Sequence, residues 1–387
     1  MAAQTPCPNA FTYSAPTTLW YAPDGLNRLG SFLKRLNISR AMLVCDPGVE
    51  QAGLSTMSIA ASGGRIVHTF ADVESDAPIT NVEAGARAVS ECKADGIVAL
   101  GGGSTIDCAK AIALLARHGG DLRRWDGINR IVEPGLPLIA IPTTAGTGSE
   151  VSNIAVIKDA EQSRKLVLID KAVYPLIAIL DPRLTTGLPA IITAATGMDA
   201  LTHAIEGMVS LYRNPICDGV GSESIRLIHK WLPVAVQHPE NLQARSNMLL
   251  AASMAGQLVA LTYGGICHAA AHALGIGCGI HHGMANALFL PWSIRFNARD
   301  PAVLALYDRA ASAFGVGACD NNAIALANSI EHMVQAMGLP TRLSQVGVGA
   351  SDLKRLSELA FADPSHRPNP VSMAGPEVFE AAFQELL

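Results

Sequence analysis

The sequence predicts an α/β domain at the N-terminal end of the chain and an all-helical domain after it. Short apolar segments alternate with helical patterns in the first half, which is typical of a parallel sheet covered by helices. Long stretches rich in alanine, leucine and histidine follow from about Pro189. A glycine-rich segment, residues 101–104, lies between a predicted strand and a predicted helix, where nucleotides bind. These observations divide the chain into a nucleotide-binding α/β domain, residues 1–187, and a helical domain, residues 188–387.

The composition indicates a globular protein with well-buried cores. The 387 residues suffice for two domains, and 49% of them are hydrophobic against 16% charged. A net charge of −5 without a basic stripe argues against a nucleic-acid partner. No apolar stretch resembles a membrane span, and residues 1–16 lack the basic and apolar parts of a secretory signal. The eight cysteines have no paired spacing, so we expect reduced thiols in a cytoplasmic protein.

Four apolar segments predict the strands of the first domain. Each is short and rich in aliphatic residues, as buried parallel strands are. They are residues 41–45, 65–70, 96–100 and 136–142. Helical patterns at residues 79–93 and 105–117 lie between them. In the second domain, a proline-rich loop at residues 363–370 is expected before a last helix at residues 376–387.

The first glycine-rich segment is suited to hold a phosphate group. Consecutive glycines let the backbone approach a ligand closely, and the N–H groups at a helix start attract phosphate. The residues concerned are Gly101, Gly102, Gly103 and Ser104. The pattern is not G-x-G-x-x-G, and a tight turn without a ligand is the alternative.

A second loop and one acidic residue are further candidates for cofactor binding. Residues 142–150 end a predicted strand, and their hydroxyls and glycines are suited to line a ribose and a nicotinamide. Helix capping by Thr147 or Ser149 is the alternative. Asp46 follows the first predicted strand, where a carboxylate can accept hydrogen bonds from an adenosine ribose. The Asp-Pro-Gly sequence there is also an ordinary turn.

Histidines in the second half provide the main candidates for chemistry. Asp199 and His203 are four residues apart in a predicted helix, so their side chains share a face. His268 and His272 have the same spacing. With His282, they offer a carboxylate and imidazoles that suit Fe²⁺ or Zn²⁺. A surface salt bridge between Asp199 and His203 is the alternative interpretation.

These motifs, in this order, resemble the iron-containing, or group III, alcohol dehydrogenase family. The resemblance covers nearly the whole chain, and its segments are residues 30–33, 44–48, 101–104, 142–150, 199–206 and 268–286. It implies a dehydroquinate synthase-like architecture, with an N-terminal dinucleotide-binding domain, a helical domain and an active site in the cleft between them. It also implies an NAD-dependent enzyme that oxidises a small alcohol or reduces an aldehyde, and that forms a homodimer.

The resemblance also assigns metal-binding and catalytic residues. The implied ligands of Fe²⁺, with Zn²⁺ as the alternative metal, are Asp199, His203, His268 and His282. His272 matches the family histidine that is assigned to proton transfer. His281 stands where the family usually has a proline, so His281 is a second candidate for the last ligand beside His282. The residues before His268, 263–267, also depart from the family pattern, which predicts an unusual substrate.

The cofactor residues are assigned in the same way. The resemblance implies that Gly101, Gly102, Gly103 and Ser104 hold the pyrophosphate of NAD, with Asp107 beside them. It implies that the nicotinamide side is lined by Thr143, Thr144 and Thr147, and that Lys165 reaches a cofactor ribose. A carboxylate at Asp46 is expected to favour NAD(H) over NADP(H), because a 2′-phosphate there would meet a like charge.

Three other functions remain open at the level of the sequence. A maleylacetate-reductase-like enzyme would use NAD(P)H without a metal, although that branch typically lacks the aspartate found here at Asp199. A dehydroquinate-synthase-like lyase would use NAD and zinc, but the basic residues expected for a phosphorylated substrate are missing near these motifs. A non-enzymatic metal-binding protein would leave the glycine-rich loops unexplained.

Overall fold

A computed structural model describes residues 10–162 and 164–387, which form two compact units. The first unit is Ala15–Gly187, and the second is Leu188–Leu387 together with residues 10–14. The predicted division counted the whole N-terminal segment with the first domain, whereas residues 10–14 group with the helical unit. The expectation that the N-terminus contains no secretory signal concerns, in part, residues 1–9, which lie outside the described residues.

The first unit contains all the strands that the described residues form. They are β1 (Thr18–Tyr21), β2 (Ala41–Cys45), β3 (Ile66–Phe70), β4 (Gly96–Gly101), β5 (Gly127–Ile128), β6 (Leu138–Pro142), β7 (Ile154–Asp159), β8 (Arg164–Ile169) and β9 (Ile177–Leu180). The four predicted strands are confirmed as β2, β3, β4 and β6. The prediction missed the others: β5 has only two residues, and β7 and β8 alternate between buried and more exposed positions.

Six strands form a parallel sheet in the order β1-β9-β6-β4-β2-β3. A second, three-stranded sheet has the order β5-β8-β7. The helices of this unit are α1 (Leu29–Arg35), α2 (Pro47–Gln51), α3 (Leu54–Ala61), α4 (Ile79–Cys92) and α5 (Gly103–His118). The four inner strands of the large sheet are buried on both faces, whereas the edge strands β1 and β3 are partly exposed. Met42 and Val44 of β2 belong to one apolar core, and the alternate residues Leu43 and Cys45 belong to another.

Helices are the regular elements that the described residues of the second unit form, as predicted. Its helices are α6 (Ala190–Val209), α7 (Pro215–Gln237), α8 (Leu242–Thr262), α9 (Ile266–Cys278), α10 (His282–Asn297), α11 (Pro301–Ala313), α12 (Asn322–Ala336), α13 (Leu353–Ala362) and α14 (Pro376–Leu386). Among the described residues, no single helix combines the length and apolarity that crossing a membrane requires. In this described part of the chain, α8 and α9 reach that length and composition only when taken together, and they meet at a bend of 101°.

Three features of the second unit bring its histidines together. Helix α6 is buried along nearly its whole length, from Thr193 to Val209. The chain turns sharply between α8 and α9 at Tyr263, whose φ of 61° is in the left-handed region. Helix α10 packs closely on α6 at Gly283. A Cβ atom at this position would clash with the carbonyl oxygen of Ala195, so glycine allows the close approach. The first turns of α9 and α10 therefore lie beside the middle of α6.

Candidate functional site

The four predicted metal ligands meet around one carboxylate oxygen. Oδ1 of Asp199 lies 3.4 Å from Nε2 of His282, 3.6 Å from Nε2 of His268 and 3.9 Å from Nε2 of His203. The rings of His203 and His268 are stacked with centroids 4.5 Å apart. One ligand atom each from Asp199, His268 and His282 lie within 4.8 Å of one another, which is compatible with a shared metal ion. We call these four residues the metal centre.

The surroundings of His268 favour a positive charge between its ring and Asp199. Nδ1 of His268 lies 2.5 Å from Oε2 of Glu206, and its Nε2 is buried without a hydrogen-bond partner. Burial by itself would lower the pKa of His268, but Glu206 and Asp199 raise it to about 10. The position facing Asp199 therefore favours positive charge, which a divalent metal supplies when it replaces a proton there.

The pKa values of the other predicted ligands favour the protonation states that metal binding needs. Burial is the largest cause that lowers the pKa of His203 to about 3 and that of His282 to about 4. Burial opposes ionisation of Asp199, yet His203 and His282 hold the pKa of this carboxyl well below its usual value. Two neutral imidazoles and one carboxylate are thus ready to act as ligands near neutral pH.

The sequence interpretation missed two residues that bond the predicted ligands. Oε1 of Glu206 accepts a 2.7 Å hydrogen bond from the backbone N–H of Cys267, while Oε2 contacts His268. Nδ2 of Asn286 donates to Oδ1 of Asp199 at 2.8 Å. Helical spacing was the available signal, since Glu206 lies seven residues after Asp199 and Asn286 lies four after His282. Groups that bond metal ligands in this way fix the orientation of the ligands.

The structure separates the roles of the remaining histidines. His281 is exposed and precedes the first residue of α10, whereas Nε2 of His282 lies 3.4 Å from Oδ1 of Asp199. His272 lies one turn after His268, and its ring stacks on that of His282 with centroids 5.1 Å apart. Its Nδ1 is 2.8 Å from Oδ2 of Asp363, the first residue of the predicted loop at 363–370.

The glycine-rich segment and the second loop pack against each other in the first unit. Strand β4 ends at Gly101, and helix α5 begins at Gly103. A Cβ atom at Gly103 would lie 2.5 Å from Cγ2 of Thr147, and one at Gly102 would lie 3.3 Å from Cγ2 of Thr144. The backbone N–H of Thr143 donates to the carbonyl oxygen of Gly101 at 3.0 Å. The predicted cofactor residues of the two segments are thus neighbours at the start of α5, where unpaired N–H groups favour phosphate.

Asp46 lies beside the same helix start. Its Oδ1 accepts a hydrogen bond from the backbone N–H of Val49 and caps α2. Its Oδ2 accepts a 3.1 Å bond from the hydroxyl of Thr105, in the first turn of α5. The carboxylate is therefore both a capping group and a negative charge next to the glycine-rich turn.

Asp107 and Lys165 have partners within the protein. Asp107 accepts hydrogen bonds from Oγ of Ser149 at 2.5 Å and from the backbone N–H of Val156 at 3.0 Å. It thereby holds the end of the second loop.

Nζ of Lys165 lies 2.9 Å from Oδ1 of Asp76, whose backbone N–H donates to Oγ of Ser104. These contacts place Lys165 near the glycine-rich turn.

A buried lysine completes the support of the second loop. Nζ of Lys110 donates to Oγ of Ser149 at 2.9 Å and to the carbonyl oxygen of Ile154 at 2.7 Å. Burial lowers the pKa of Lys110 to about 8 and raises that of Asp107. The sequence interpretation did not identify Lys110, because a lysine in a helix carries no signal of the direction of its side chain.

The chain matches known proteins along nearly its whole length. Residues 16–182 match the family model of iron-containing alcohol dehydrogenases, and residues 193–383 match that of the C-terminal part of the same family. Alcohol dehydrogenase 4 of Schizosaccharomyces pombe is 36% identical over an alignment of 381 residues, which covers 96% of this chain and 90% of the relative.

Two solved structures have the same fold. A 1,3-propanediol oxidoreductase superimposes with a TM-score of 0.94 at 33% identity, over 98% of this chain and 100% of the other. A sulfoacetaldehyde reductase from Bifidobacterium kashiwanohense, solved in complex with NAD⁺, gives a TM-score of 0.90 at 28% identity, over 97% and 98% of the two chains.

Proposed function

Because the chain belongs to the iron-containing alcohol dehydrogenase family, we propose that it transfers a hydride between NAD(H) and a small alcohol or aldehyde with the help of a bound metal. The observation that carries the proposal is the metal centre, in which three imidazoles converge on the carboxylate of Asp199. The position of Asp199 at this point weighs against a reductase that works without a metal.

The proposed metal ligands are the four residues of the metal centre. A bound divalent metal supplies a Lewis acid for the oxygen of the substrate. Glu206 and Asn286 orient two of the ligands, so the protein provides a preorganised set of donors. The family favours Fe²⁺, and Zn²⁺ is the alternative because the same donors accept both ions.

The proposed NAD site is built from the two packed loops of the first unit. The start of α5 offers backbone N–H groups to the pyrophosphate, and the hydroxyls of Thr143, Thr144 and Thr147 stand beside it. Asp46 is proposed to disfavour the 2′-phosphate of NADP(H) by charge repulsion. Asp107 is proposed to act mainly by holding the second loop, and Lys165 to reach a cofactor ribose. A structural relative that was solved with NAD⁺ supports this cofactor.

His272 is proposed to move the proton of the reaction. Oxidation of an alcohol by NAD⁺ yields a carbonyl compound, NADH and one proton, so a base near the hydroxyl group is needed. Nδ1 of His272 is engaged by Asp363, which leaves Nε2 as the nitrogen that can take the hydroxyl proton. In aldehyde reduction the same nitrogen returns a proton to the substrate oxygen.

The proposed substrates are primary alcohols, diols and short aldehydes. The names of two structural relatives, a 1,3-propanediol oxidoreductase and a sulfoacetaldehyde reductase, support compounds of two or three carbon atoms. We also propose that the protein is a cytoplasmic homodimer that binds neither nucleic acid nor membranes. Light scattering and cell fractionation test these last points.

The decisive experiment combines metal analysis with a substrate panel. The purified protein is analysed for iron and zinc and assayed with NAD(H) and NADP(H) on primary alcohols, diols and short aldehydes, before and after treatment with a chelator. We expect one metal per chain, turnover with NAD(H), and loss of turnover on chelation that added Fe²⁺ or Zn²⁺ restores. Full turnover of the metal-free protein would identify a metal-independent reductase instead. Metal binding without hydride transfer to or from NAD(H) on any of these substrates would refute the dehydrogenase.

A further inference from the structure

A loop near the C-terminus brings a carboxylate to the histidine that faces the metal centre. Oδ2 of Asp363 lies 2.8 Å from Nδ1 of His272, although the two residues are 91 positions apart. Both side chains are only 17% exposed. The next part of the loop lies beside the start of α9, since a Cβ atom at Gly264 would be 3.4 Å from Cβ of Ser365.

The carboxylate of Asp363 is held in one orientation. Its Oδ1 accepts a 2.8 Å hydrogen bond from the backbone N–H of Ser365, which leaves Oδ2 directed at His272. Burial opposes ionisation of Asp363, but His272 and Ser365 keep the pKa of this carboxyl at about 2. Asp363 is therefore an acceptor of hydrogen bonds and not a donor near neutral pH.

The loop itself is anchored to two helices. Asn369 and Asn297 exchange two amide hydrogen bonds, of 2.7 and 3.0 Å, and both side chains are buried. The backbone N–H of Leu211, just after α6, donates to the carbonyl oxygen of Pro368 at 2.8 Å. Because its distal end is fixed to α10 and to the end of α6, the loop can hold Asp363 against His272 without much freedom.

We propose that Asp363 is the positioning residue of His272, which it keeps in the tautomer that carries the proton on Nδ1. A carboxylate can only accept, so Nδ1 must donate, and Nε2 is then the nitrogen without a proton in the neutral form of the ring. That nitrogen takes the proton of the substrate hydroxyl as the hydride passes to NAD⁺, and afterwards releases the proton to solvent. This role rests on the proposed function, in which His272 moves the proton.

The first test is a double-mutant cycle of Asp363→Asn and His272→Ala. An asparagine has the shape of aspartate, but its amide can donate to Nδ1 and so stabilise the wrong tautomer. We expect Asp363→Asn to keep the metal and the fold and to lower turnover by roughly 10- to 100-fold. In the His272→Ala background the same substitution should have no further effect, because its target is gone. An equal loss in both backgrounds would overturn the proposal, since Asp363 would then act on the loop alone.

The second test reads the tautomer directly and does not depend on activity. The ¹⁵N spectrum of histidine-labelled, zinc-loaded protein is recorded, and the His272 signals are identified by their absence in His272→Ala. We expect the proton on Nδ1 in the unmodified protein and on Nε2 in Asp363→Asn. An unchanged tautomer in that variant would overturn the proposal even if the enzyme acted on no alcohol at all.

The matched control is Asp352→Asn. Asp352 also accepts a hydrogen bond from a backbone N–H, that of Gly349 at 3.0 Å, and lies near Arg355. It therefore tests the loss of a similar capping carboxylate on the same part of the chain. Its substitution should leave both turnover and the His272 tautomer unchanged, and a change in either as large as that in Asp363→Asn would count against the proposal.

Discussion

Glu206 bonds His268 and the start of α9 at the same time. One of its carboxylate oxygens lies 2.5 Å from Nδ1 of His268, and the other accepts a 2.7 Å hydrogen bond from the backbone N–H of Cys267. A Cβ atom at Gly265 would clash with Glu206, so the glycine allows this close approach. The side chain thus sets both the position of the helix and the direction of the ligand ring.

Replacement of Glu206 by glutamine should weaken metal binding. The amide can still accept one hydrogen bond, but it removes the negative charge that holds Nδ1 of His268 protonated. We expect metal affinity to fall by roughly 10- to 100-fold, the usual effect of losing a partner of a metal ligand. Competition with a chromogenic chelator measures it. Glu223→Gln is the control, because Glu223 pairs with Arg226 on the surface of α7. Equal metal affinities of the unmodified protein and both variants would contradict the role assigned to Glu206.

Metal content should separate His203 from His281. His203→Ala removes an imidazole that faces Asp199, and we expect the variant to lose most of its metal and its activity. His281→Ala changes an exposed residue outside the metal centre and should retain both. Elemental analysis of the two purified variants decides the point. Full metal content and full activity in His203→Ala would remove His203 from the set of ligands.

His272→Ala should keep the metal and lose turnover. The ring stacks on His282 but is tied to Asp363, so its loss leaves the four ligands in place. We expect turnover to fall by roughly 10²-fold or more, the usual scale for a general acid–base group. Elemental analysis and steady-state kinetics on one preparation measure both quantities. Loss of metal would make His272 a ligand, and unchanged turnover would exclude it from proton transfer.

Substitutions at Asp46 should relax the preference for NAD(H). Asp46→Asn keeps a side chain that can cap α2 and bond Thr105, and it removes only the charge. Asp46→Gly also removes the bond to Thr105. We expect both variants to raise the efficiency with NADP(H) relative to NAD(H) by roughly tenfold, the scale of one close charge interaction. Kinetics with both cofactors test this, and equal efficiencies in the unmodified enzyme would contradict the role of the charge.

A methyl group at Gly103 should disturb the cofactor loops. Its Cβ would lie 2.5 Å from Thr147, so the second loop must move away from the start of α5. We expect the dissociation constant of NADH to rise by roughly tenfold or more, the scale of overpacking a tight contact. Fluorescence titration with NADH measures it. Gly219→Ala is the control, because nothing lies within 4 Å of a Cβ there, and similar constants for the two variants would refute the prediction.

Local patterns were sufficient for much of the fold and for the list of ligands. Runs of apolar residues predicted β2, β4 and β6, because a strand buried on both faces is apolar at every position. Strand β3 was predicted from a shorter apolar pattern, and it lies partly exposed at the edge of the sheet. The four-residue spacing of Asp199 and His203 placed both on one face of α6, since helical periodicity is a property of neighbouring residues. The resemblance to a family, carried by several motifs in order, supplied His268 and His282.

The partners of these residues depended on contacts between distant parts of the chain. Glu206 meets His268 across 62 positions, and Asp363 meets His272 across 91. Such pairs arise from the packing of α6, α9 and the C-terminal loop, and no local periodicity encodes them. The same reason explains Asp107, whose carboxylate bonds Ser149 and Val156 of the protein itself. The sequence by itself determined which groups can act as ligands and bases, and tertiary packing decided which nitrogen of each histidine faces the metal centre.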